Sequence, residues 1–265
     1  MNNNPIGILD SGVGGLTVWR EIIRELPHES TIYIADSANT PYGAKTPEEI
    51  YQLAKRLVDF LIRKQAKVIV VACNTITVTC LDQLRNDYPN VPMMGAVPVV
   101  KTAAEMSEHK RIGVLSTIRT AESDYQRMLI AKYAPDCQVM NIGTDKLVPI
   151  IEEGMLNGPE LNAVLHEVLK PFSDHAVDTV ALGCTHYPFI RHLIETHLGS
   201  NIRLLDSGAA IGRQIHRVMA HNGVEHNTEP FWYEFYTTGN EAVMRQLLRS
   251  LNTDYLPVKI ARVEL

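Results

Sequence analysis

Residues 177–188 read Val-Asp-Thr-Val-Ala-Leu-Gly-Cys-Thr-His-Tyr-Pro, and this stretch indicates the fold class. The mostly apolar run from Val177 to Leu182 is typical of a strand buried on both faces. Gly183 allows a sharp turn after the strand, and Pro188 is suited to open a helix. Such a strand-turn-helix unit predicts an α/β protein with parallel sheets.

Two potentially reactive side chains come directly after this strand. Cys184 lies at the turn, and His186 follows two residues later. Ligands of open α/β sheets bind beyond the carboxyl ends of the strands, and a thiol near an imidazole is a candidate reactive thiol. A buried structural cysteine beside a surface histidine fits this stretch equally well, so other parts of the chain have to decide between the two.

The composition is that of an ordinary globular protein. The chain has 265 residues, 45% hydrophobic and 21% charged, which suffices for one large α/β domain or two small ones. A net charge of −5 offers no basic field to nucleic acid. We expect no signal peptide and no membrane span. Four cysteines without a Cys-x-x-Cys pair favour a reducing cytoplasm and disfavour structural zinc.

A glycine-rich turn, Asp10-Ser11-Gly12-Val13-Gly14-Gly15, follows the first apolar strand, residues 6–9. Backbone N–H groups of such a turn, next to a helix N-terminus, can hold an anion. Gly12 and Gly14 fit the dinucleotide fingerprint, but Thr17 does not, so the match is weak. A substrate carboxylate suits the turn as well as a phosphate does, and a plain tight turn is the remaining alternative.

The rest of the chain continues the alternation of strands and helices. Further strands are predicted at 31–35, 67–72, 93–96, 138–142, 201–205 and 231–238. Helices are predicted from Leu16 to Pro27, after the capping box at Thr46, after Cys73, from Pro98, after Ser207 and over 240–251. Cys73 therefore stands at the carboxyl end of the 67–72 strand, as Cys184 does at the end of its own.

Two stretches of the second half echo the first. Ile112-Gly113-Val114-Leu115 repeats Ile6-Gly7-Ile8-Leu9, and residues 181–185 repeat residues 70–74, cysteine included. This self-similarity indicates a duplication. It predicts two similar doubly wound α/β lobes with mostly parallel sheets, related by a pseudo-twofold axis, and an active site in the interlobe cleft. We expect the tail to return to the first lobe, giving domains 1–97 plus 208–265, and 98–207.

A twofold relation would place Cys73 and Cys184 on opposite sides of the cleft. Two thiols that face one small molecule suit stereoinversion, because one removes a proton from one face of a carbon and the other returns a proton to the opposite face. One must be a thiolate and the other a thiol, and neighbours can favour either form. Asp10 is expected to orient or relay protons for Cys73, and His186 for Cys184.

Four motifs together resemble those of the cofactor-independent glutamate racemases, in the aspartate/glutamate racemase superfamily. They are Asp10 to Gly15, Pro41-Tyr42-Gly43, Cys73-Asn74-Thr75 and Gly183 to Pro188. The resemblance implies that Cys73 and Cys184 are the two catalytic bases. It also implies a set of residues that bind the substrate: Asp10, Ser11, Pro41, Tyr42, Gly43, Asn74, Thr75, Thr117, Thr120, Thr185 and His186. Many members have Gly-Thr where this chain has Ser116-Thr117.

Glu152 is a further site residue suggested by the resemblance, as a partner of His186. A solvated helix end is the alternative for this glutamate.

The resemblance implies a two-base interconversion of L- and D-glutamate that supplies D-glutamate for peptidoglycan, and hence for cell-wall biogenesis and cell shape. It implies an enzyme with no cofactor and no metal, and a cytoplasmic homodimer with a small-molecule substrate and no membrane association. Neutral donors at strand ends would hold the substrate carboxylates. Lysine, which a pyridoxal phosphate enzyme needs, is missing from these loops except for Lys45 at their rim.

Three other functions stay open. The same fold serves aspartate or hydantoin racemases and one-cysteine decarboxylases, although two cysteines disfavour a decarboxylase and Pro41-Tyr42-Gly43 favours glutamate. A two-lobed binding protein for a small acid would hold inert thiols. An interaction role is the third, because some family members inhibit DNA gyrase, although the sequence indicates neither this nor direct nucleic-acid binding.

Overall fold

The computed structural model of the protein describes residues 3–97, 99–222, 230–251 and 259–265. Within those ranges it is an α/β molecule with two sheets whose strands all run parallel, as the sequence predicted. The strands are β1 (Ile6–Asp10), β2 (Thr31–Ala35), β3 (Val68–Val71), β4 (Met93–Gly95), β5 (Arg111–Ser116), β6 (Gln138–Gly143), β7 (Thr179–Gly183), β8 (Arg203–Leu205), β9 (Tyr233–Thr237) and β10 (Lys259–Arg262).

The two sheets share a strand order. The first sheet runs β10-β9-β2-β1-β3-β4 and the second runs β6-β5-β7-β8, so β2-β1-β3-β4 and the whole second sheet have one topology. In each sheet the chain changes its winding direction at the first strand of the repeat, β1 or β5. The crevice beside such a strand, at its carboxyl end, is where ligands of open α/β sheets bind.

Helices connect the strands. They are α1 (Leu16–Glu25), α2 (Pro47–Arg63), α3 (Asn74–Asp87), α4 (Val100–Met106), α5 (Ile118–Ala121), α6 (Asp124–Tyr133), α7 (Leu147–Glu152), α8 (Pro159–Asp174), α9 (Arg191–Leu198), α10 (Gly208–Asn222) and α11 (Glu241–Ser250). The capping box at the start of α2 is present: Thr46 accepts from the Glu49 N–H, and the Glu49 carboxylate accepts from the Thr46 N–H.

Alternate residues of the central strands enter different cores. In β1, Ile8 joins a core that spans both lobes, and Leu9 joins a second core beneath α2 and α3. In β5, Leu115 belongs to the shared core, while Val114 belongs to a third core beneath α4 and α6. The period of two is that of strands covered on both faces. The lobes are therefore joined by apolar packing as well as by the chain.

The structure refines several sequence predictions. The predicted strand 231–238 is β9, and it lies between β2 and β10 in the first sheet. β10 was missed, because four half-exposed residues at a sheet edge carry no continuous apolar run. Pro188 lies in a 3-10 turn, Tyr187–Ile190, that leads into α9. Pro98 is outside the described residues, and the helix predicted from it is seen from Val100. In the described part of the chain no helix is long and apolar enough to cross a bilayer.

Candidate active site

A small cavity lies between the carboxyl ends of the two sheets, at the crevices beside β1 and β5. Cys73 and Cys184 both line it, with exposed fractions of 4% and 7%. Cys73 follows β3 and Cys184 follows β7, which are equivalent strands of the repeated topology. The structure therefore brings the two thiols to one enclosed space. Its lining residues are Ser11, Pro41, Tyr42, Gly43, Cys73, Asn74, Thr75, Thr117, Val148, Cys184, Thr185 and His186.

Cys73 occupies the N-cap position of α3, where the chain leaves β3. Its Sγ atom lies 3.3 Å from Ser11 Oγ. Burial, and then the nearby Asp10 carboxylate, raise the pKa of the Cys73 thiol to about 12, against the opposing effect of the Ser11 hydrogen bond. Cys73 is therefore held as a neutral thiol, the form required of a proton donor.

Cys184 has a different neighbour. His186 Nδ1 lies 3.7 Å from Cys184 Sγ, and His186 Nε2 lies 2.5 Å from Glu152 Oε1. Burial lowers the pKa of His186, but the hydrogen bonds to Cys184 and Glu152 outweigh it, so the pKa is raised well above the ordinary value. A protonated His186 can then donate to the sulfur and to the carboxylate together. Glu152 faces His186, and its side chain is 11% exposed, so it is not a solvated helix end.

Asp10 lies behind the cavity wall and is fully buried. Its Oδ1 accepts from the Gly12 N–H at 3.0 Å, and its Oδ2 accepts from Thr185 Oγ1 at 3.0 Å. Burial raises the pKa of Asp10 to about 6, although the charge of His186 pulls the other way. Asp10 thus links the strand end beside Cys73 to the residue after Cys184, without itself lining the cavity.

The glycine-rich turn has a packing reason that the sequence did not reveal. A Cβ atom on Gly12 would stand 1.9 Å from Glu152 Oε1, and one on Gly14 would stand 2.4 Å from His186 Nδ1. The turn does hold a carboxylate, but it is that of Glu152, which accepts from the Val13 N–H at 2.7 Å. These glycines permit close approach between the lobes. Because Glu152 occupies the turn, nothing in the structure supports the alternative that the turn binds a dinucleotide.

Three threonine hydroxyls meet on the other side of the cavity. Thr75 Oγ1 lies 2.9 Å from Thr117 Oγ1, and Thr117 donates to Thr120 at 3.1 Å. Thr75 and Thr117 line the cavity, while Thr120 supports them from behind. Hydroxyls can turn their protons toward an incoming oxygen, so this group can bind a carboxylate. The Asn74 side-chain amide donates to the Ala96 carbonyl at 3.2 Å, which fixes its orientation.

The segment Pro41-Tyr42-Gly43 forms one wall of the cavity. The Tyr42 hydroxyl donates to Asp36 Oδ2 at 2.6 Å, so it is turned away toward the first sheet. Burial, and then Asp36, raise the pKa of Tyr42, which keeps the phenol neutral. A Cβ atom on Gly43 would approach Thr117 Cβ to 2.9 Å. Gly43 therefore lets the wall close onto the second lobe.

Two residues of the site were not predicted from the sequence. Val148 lines the cavity from α7. It lies one helical turn before Glu152, so placing Glu152 at the site would also have placed Val148 there. Thr17 donates to the Thr185 carbonyl at 3.0 Å and so supports the segment after Cys184. An isolated threonine within a helix gave no signal of this role.

The chemistry open to the cavity follows from its lining. The lining includes thiols, hydroxyls, an amide and an imidazole, but no lysine, so a Schiff base has no amine there on which to form. Among the described residues, no three acidic, histidine or cysteine side chains are grouped to hold a metal. Two buried thiols in unlike surroundings can act as an acid and a base.

The chain is similar to known proteins over most of its length. Residues 6–215 match the family model described as Asp/Glu/Hydantoin racemase. The chain is 39% identical to the glutamate racemase of Streptococcus sanguinis (strain SK36) over 253 residues, which are 94% of this chain and 95% of that relative. It is 40% identical to that of Pseudomonas aeruginosa (strain PAO1) over 243 residues, which are 92% of each.

Solved structures show the same likeness. The glutamate racemase from Francisella tularensis subsp. tularensis SCHU S4 in complex with D-glutamate superposes with a TM-score of 0.85 at 30% identity, over 100% of this chain and 98% of that one. A glutamate racemase isoform from Bacillus anthracis gives 0.87 at 29% identity, over 100% and 99%. The family match covers most of the chain, from β1 into α10, and includes both cavity cysteines. The chain therefore belongs to the Asp/Glu/Hydantoin racemase family.

Proposed function

We propose that this protein is a cofactor-independent glutamate racemase, which interconverts L- and D-glutamate and so supplies D-glutamate for peptidoglycan. The observation that carries the proposal is the pair of thiols, Cys73 and Cys184, buried in one cavity at the ends of equivalent strands. The relatives named above, which are similar over nearly their whole length, support glutamate as the substrate. The complex of the Francisella tularensis relative with D-glutamate supports it further.

In the proposed reaction one proton is removed from the α-carbon of glutamate, and another proton is added to its opposite face. Starting from L-glutamate, the Cys184 thiolate removes the α-proton, and the electron pair stays on the carbon and its carboxylate. The Cys73 thiol then gives its proton to the opposite face. The product is D-glutamate, with Cys184 as the thiol and Cys73 as the thiolate, ready for the reverse reaction. The raised pKa of Cys73 suits the donor role in this direction.

The neighbours have distinct roles in this proposal. Protonated His186, held by Glu152 at 2.5 Å, stabilises negative charge on Cys184 Sγ. Asp10 holds Thr185, the residue after Cys184, at 3.0 Å. The hydroxyls of Ser11, Thr75 and Thr117, with the amide of Asn74, would receive the substrate carboxylates. A permanent positive charge would bind the ground state as firmly as the carbanionic transition state, and so would not speed the reaction. Neutral donors add no such charge.

The organisation of the whole chain is part of the proposal. The first lobe would comprise residues 1–97 and 208–265, because β9 and β10 pair within the first sheet, and the second lobe would comprise residues 98–207. We further propose that the protein acts as a homodimer in the cytoplasm. Sedimentation equilibrium tests the dimer, and a monomer at all concentrations would contradict it.

The decisive experiment follows optical rotation and isotope together. Purified protein is incubated with L-glutamate in deuterated water, without added cofactor, and stopped early. We expect loss of optical rotation, with deuterium in the D-glutamate formed while the remaining L-glutamate stays mostly protonated. Label that enters both pools equally from the start would indicate a single base, and binding without turnover would favour a small-acid binding protein.

Substrate choice is tested separately. We expect kcat/KM for glutamate to exceed that for aspartate by at least about tenfold, because a cavity shaped for one carboxylate position loses its polar contacts when the chain is one methylene shorter. Equal values would favour a broader acidic amino-acid racemase.

The absence of a cofactor remains a prediction, and unchanged turnover after treatment with chelators and carbonyl reagents is its test.

A further inference from the structure

One contact across the cleft is not made by any of the site residues described above. Arg119, on α5 of the second lobe, donates from Nε and Nη2 to the carbonyl oxygen of Lys45 in the first lobe, at 3.2 and 2.9 Å. The Lys45 N–H in turn donates to the Tyr42 carbonyl at 3.1 Å. This closes the turn that begins with the cavity wall Pro41-Tyr42-Gly43. Arg119 therefore holds the far end of that wall.

The cavity in this structure is nearly closed. Both thiols are more than nine-tenths buried, so a substrate reaches them only after the lobes separate locally. On the Cys184 side the lobes are joined by buried contacts, from Thr185 to Asp10 and from Thr17 to Thr185. On the Arg119 side the hydrogen bond between Thr75 and Thr117 is buried, and the Arg119 contact is only partly buried. Water can replace a partly exposed hydrogen bond at little cost, so the Arg119 contact is the first on this side to open.

We propose that Arg119 is a positioning residue, which holds the wall Pro41-Tyr42-Gly43 closed over the two thiols and releases it for substrate exchange. The proposal rests on the proposed function for its kinetic consequences and on the geometry alone for its effect on access. The Gly43–Thr117 approach shows why the contact matters. A Cβ atom on Gly43 would stand 2.9 Å from Thr117 Cβ, so the wall is in close contact with the second lobe in this closed arrangement.

Arginine suits this role better than lysine does. Its planar guanidinium places two N–H groups on one carbonyl oxygen in a fixed geometry, whereas a lysine ammonium is a mobile point charge. Arg119→Ala removes both donors. Arg119→Lys keeps the charge and can keep one. Arg127 provides a matched control, because it is an exposed arginine on the neighbouring α6 of the same lobe, and it pairs with Asp124 rather than with the first lobe.

The first experiment measures access and needs no activity. Wild type, Arg119→Ala, Arg119→Lys and Arg127→Ala are treated with iodoacetamide, and each cysteine is followed by peptide mass spectrometry. We expect Cys73 alkylation to speed up by about tenfold in Arg119→Ala, less in Arg119→Lys, and not at all in Arg127→Ala. Cys80, which is buried outside the cavity and donates to the Ile76 carbonyl, is the internal control and should not change. Unchanged Cys73 alkylation in Arg119→Ala overturns the proposal, and so does an equal rise at Cys80, which would indicate general loosening.

The second experiment measures turnover of L-glutamate by the same four proteins. We expect KM to rise about tenfold in Arg119→Ala with a smaller change in kcat, because a less populated closed state weakens apparent binding. Partial recovery is expected in Arg119→Lys. A fall in kcat with unchanged KM overturns the positioning role. If no variant, wild type included, racemises glutamate while Cys73 still responds to Arg119→Ala, the proposed function fails and the positioning role stands.

Discussion

At the residue scale, the two cavity thiols have unlike neighbours. Cys73 has a hydroxyl and a buried carboxylate nearby, and its pKa is raised to about 12. Cys184 has an imidazole at 3.7 Å that is itself backed by a carboxylate. The asymmetry gives each sulfur a different partner for its charge. It arises although the two cysteines stand at equivalent places in a repeated topology.

Replacement of either cysteine tests whether the two thiols act as a pair. Cys73→Ser and Cys184→Ser are each expected to lower kcat for racemisation by about 10²–10⁴-fold, the usual contribution of a general acid or base. An unactivated hydroxyl is a much poorer base than a thiolate. Initial rates with both enantiomers measure the effect. Cys80→Ser serves as the control, since Cys80 is buried away from the cavity. A near wild-type rate in either cavity variant would refute the paired mechanism.

Asp10 gives the molecule a pH dependence that can be separated from that of other groups. Its pKa rises from 3.8 to about 6 on folding, so the fold favours the protonated carboxyl. The resulting contribution to stability is complete below about pH 3.8 and is lost as the pH rises through about 6. In Asp10→Asn this contribution no longer titrates.

The free energy of unfolding of Asp10→Asn, minus that of wild type, should therefore increase by about 2 kcal/mol between about pH 4 and pH 7.5. Urea unfolding across that range measures the difference, from which the titrating groups that do not interact with Asp10 cancel. A difference that stays flat with pH would show that Asp10 is not perturbed.

At the scale of elements, the glycine-rich turn shows what a sequence pattern conveys and what it does not. The run of glycines after the first apolar strand predicted the turn, and the internal repeat predicted the other loops at strand ends. Both predictions succeed because strand ends and residue spacing are local features of the sequence. The reason for Gly12 and Gly14 lies in Glu152 and His186, which come from the other lobe. Contacts between distant segments leave no local signal, and Thr17 and Arg119 were missed for the same reason.

Gly14→Ala tests this packing. Its Cβ atom would stand 2.4 Å from His186 Nδ1 and 2.5 Å from Thr185 Oγ1, so the turn or the imidazole has to move. We expect stability to fall by about 1–3 kcal/mol and kcat to fall by at least about tenfold. Gly208→Ala is the matched control, because its Cβ would meet only the ends of side chains away from the cavity, Glu21 Cγ at 3.0 Å and Asp206 Oδ1 at 3.2 Å, rather than a cavity residue. Equal effects of the two substitutions on kcat would show that the close approach at Gly14 has no special role.

At the scale of the whole molecule, one apolar core connects the two sheets. Ile8 and Trp19 from the first lobe belong to the same cluster as Phe172 and Leu182 from the second. The repeat in the sequence predicted two lobes. It did not predict that they share a core, because alternating apolar residues look alike whether they face a helix or another lobe. We infer that neither lobe unfolds alone.

The expected outcome is one cooperative unfolding transition. Trp19 and Trp232 both belong to the first lobe, so tryptophan fluorescence reports on that lobe, whereas far-ultraviolet circular dichroism reports on both. The two signals should change at the same urea concentration. Phe172→Ala in the second lobe should lower stability by about 3–5 kcal/mol and shift the fluorescence transition by the same amount. If the midpoint of the fluorescence transition does not change with this substitution, the two lobes unfold independently.

The unlike surroundings of the two thiols have a thermodynamic consequence. The enantiomers of an amino acid have equal free energies in water, so their equilibrium ratio is one whatever the enzyme does. The ratio of kcat to KM must then be the same in both directions, however differently Ser11 and His186 treat their sulfurs. The asymmetry of the cavity can appear only as a KM and a kcat that differ between the directions by a common factor. An inhibitor shaped like one enantiomer can nevertheless exploit it, because binding alone is under no such constraint.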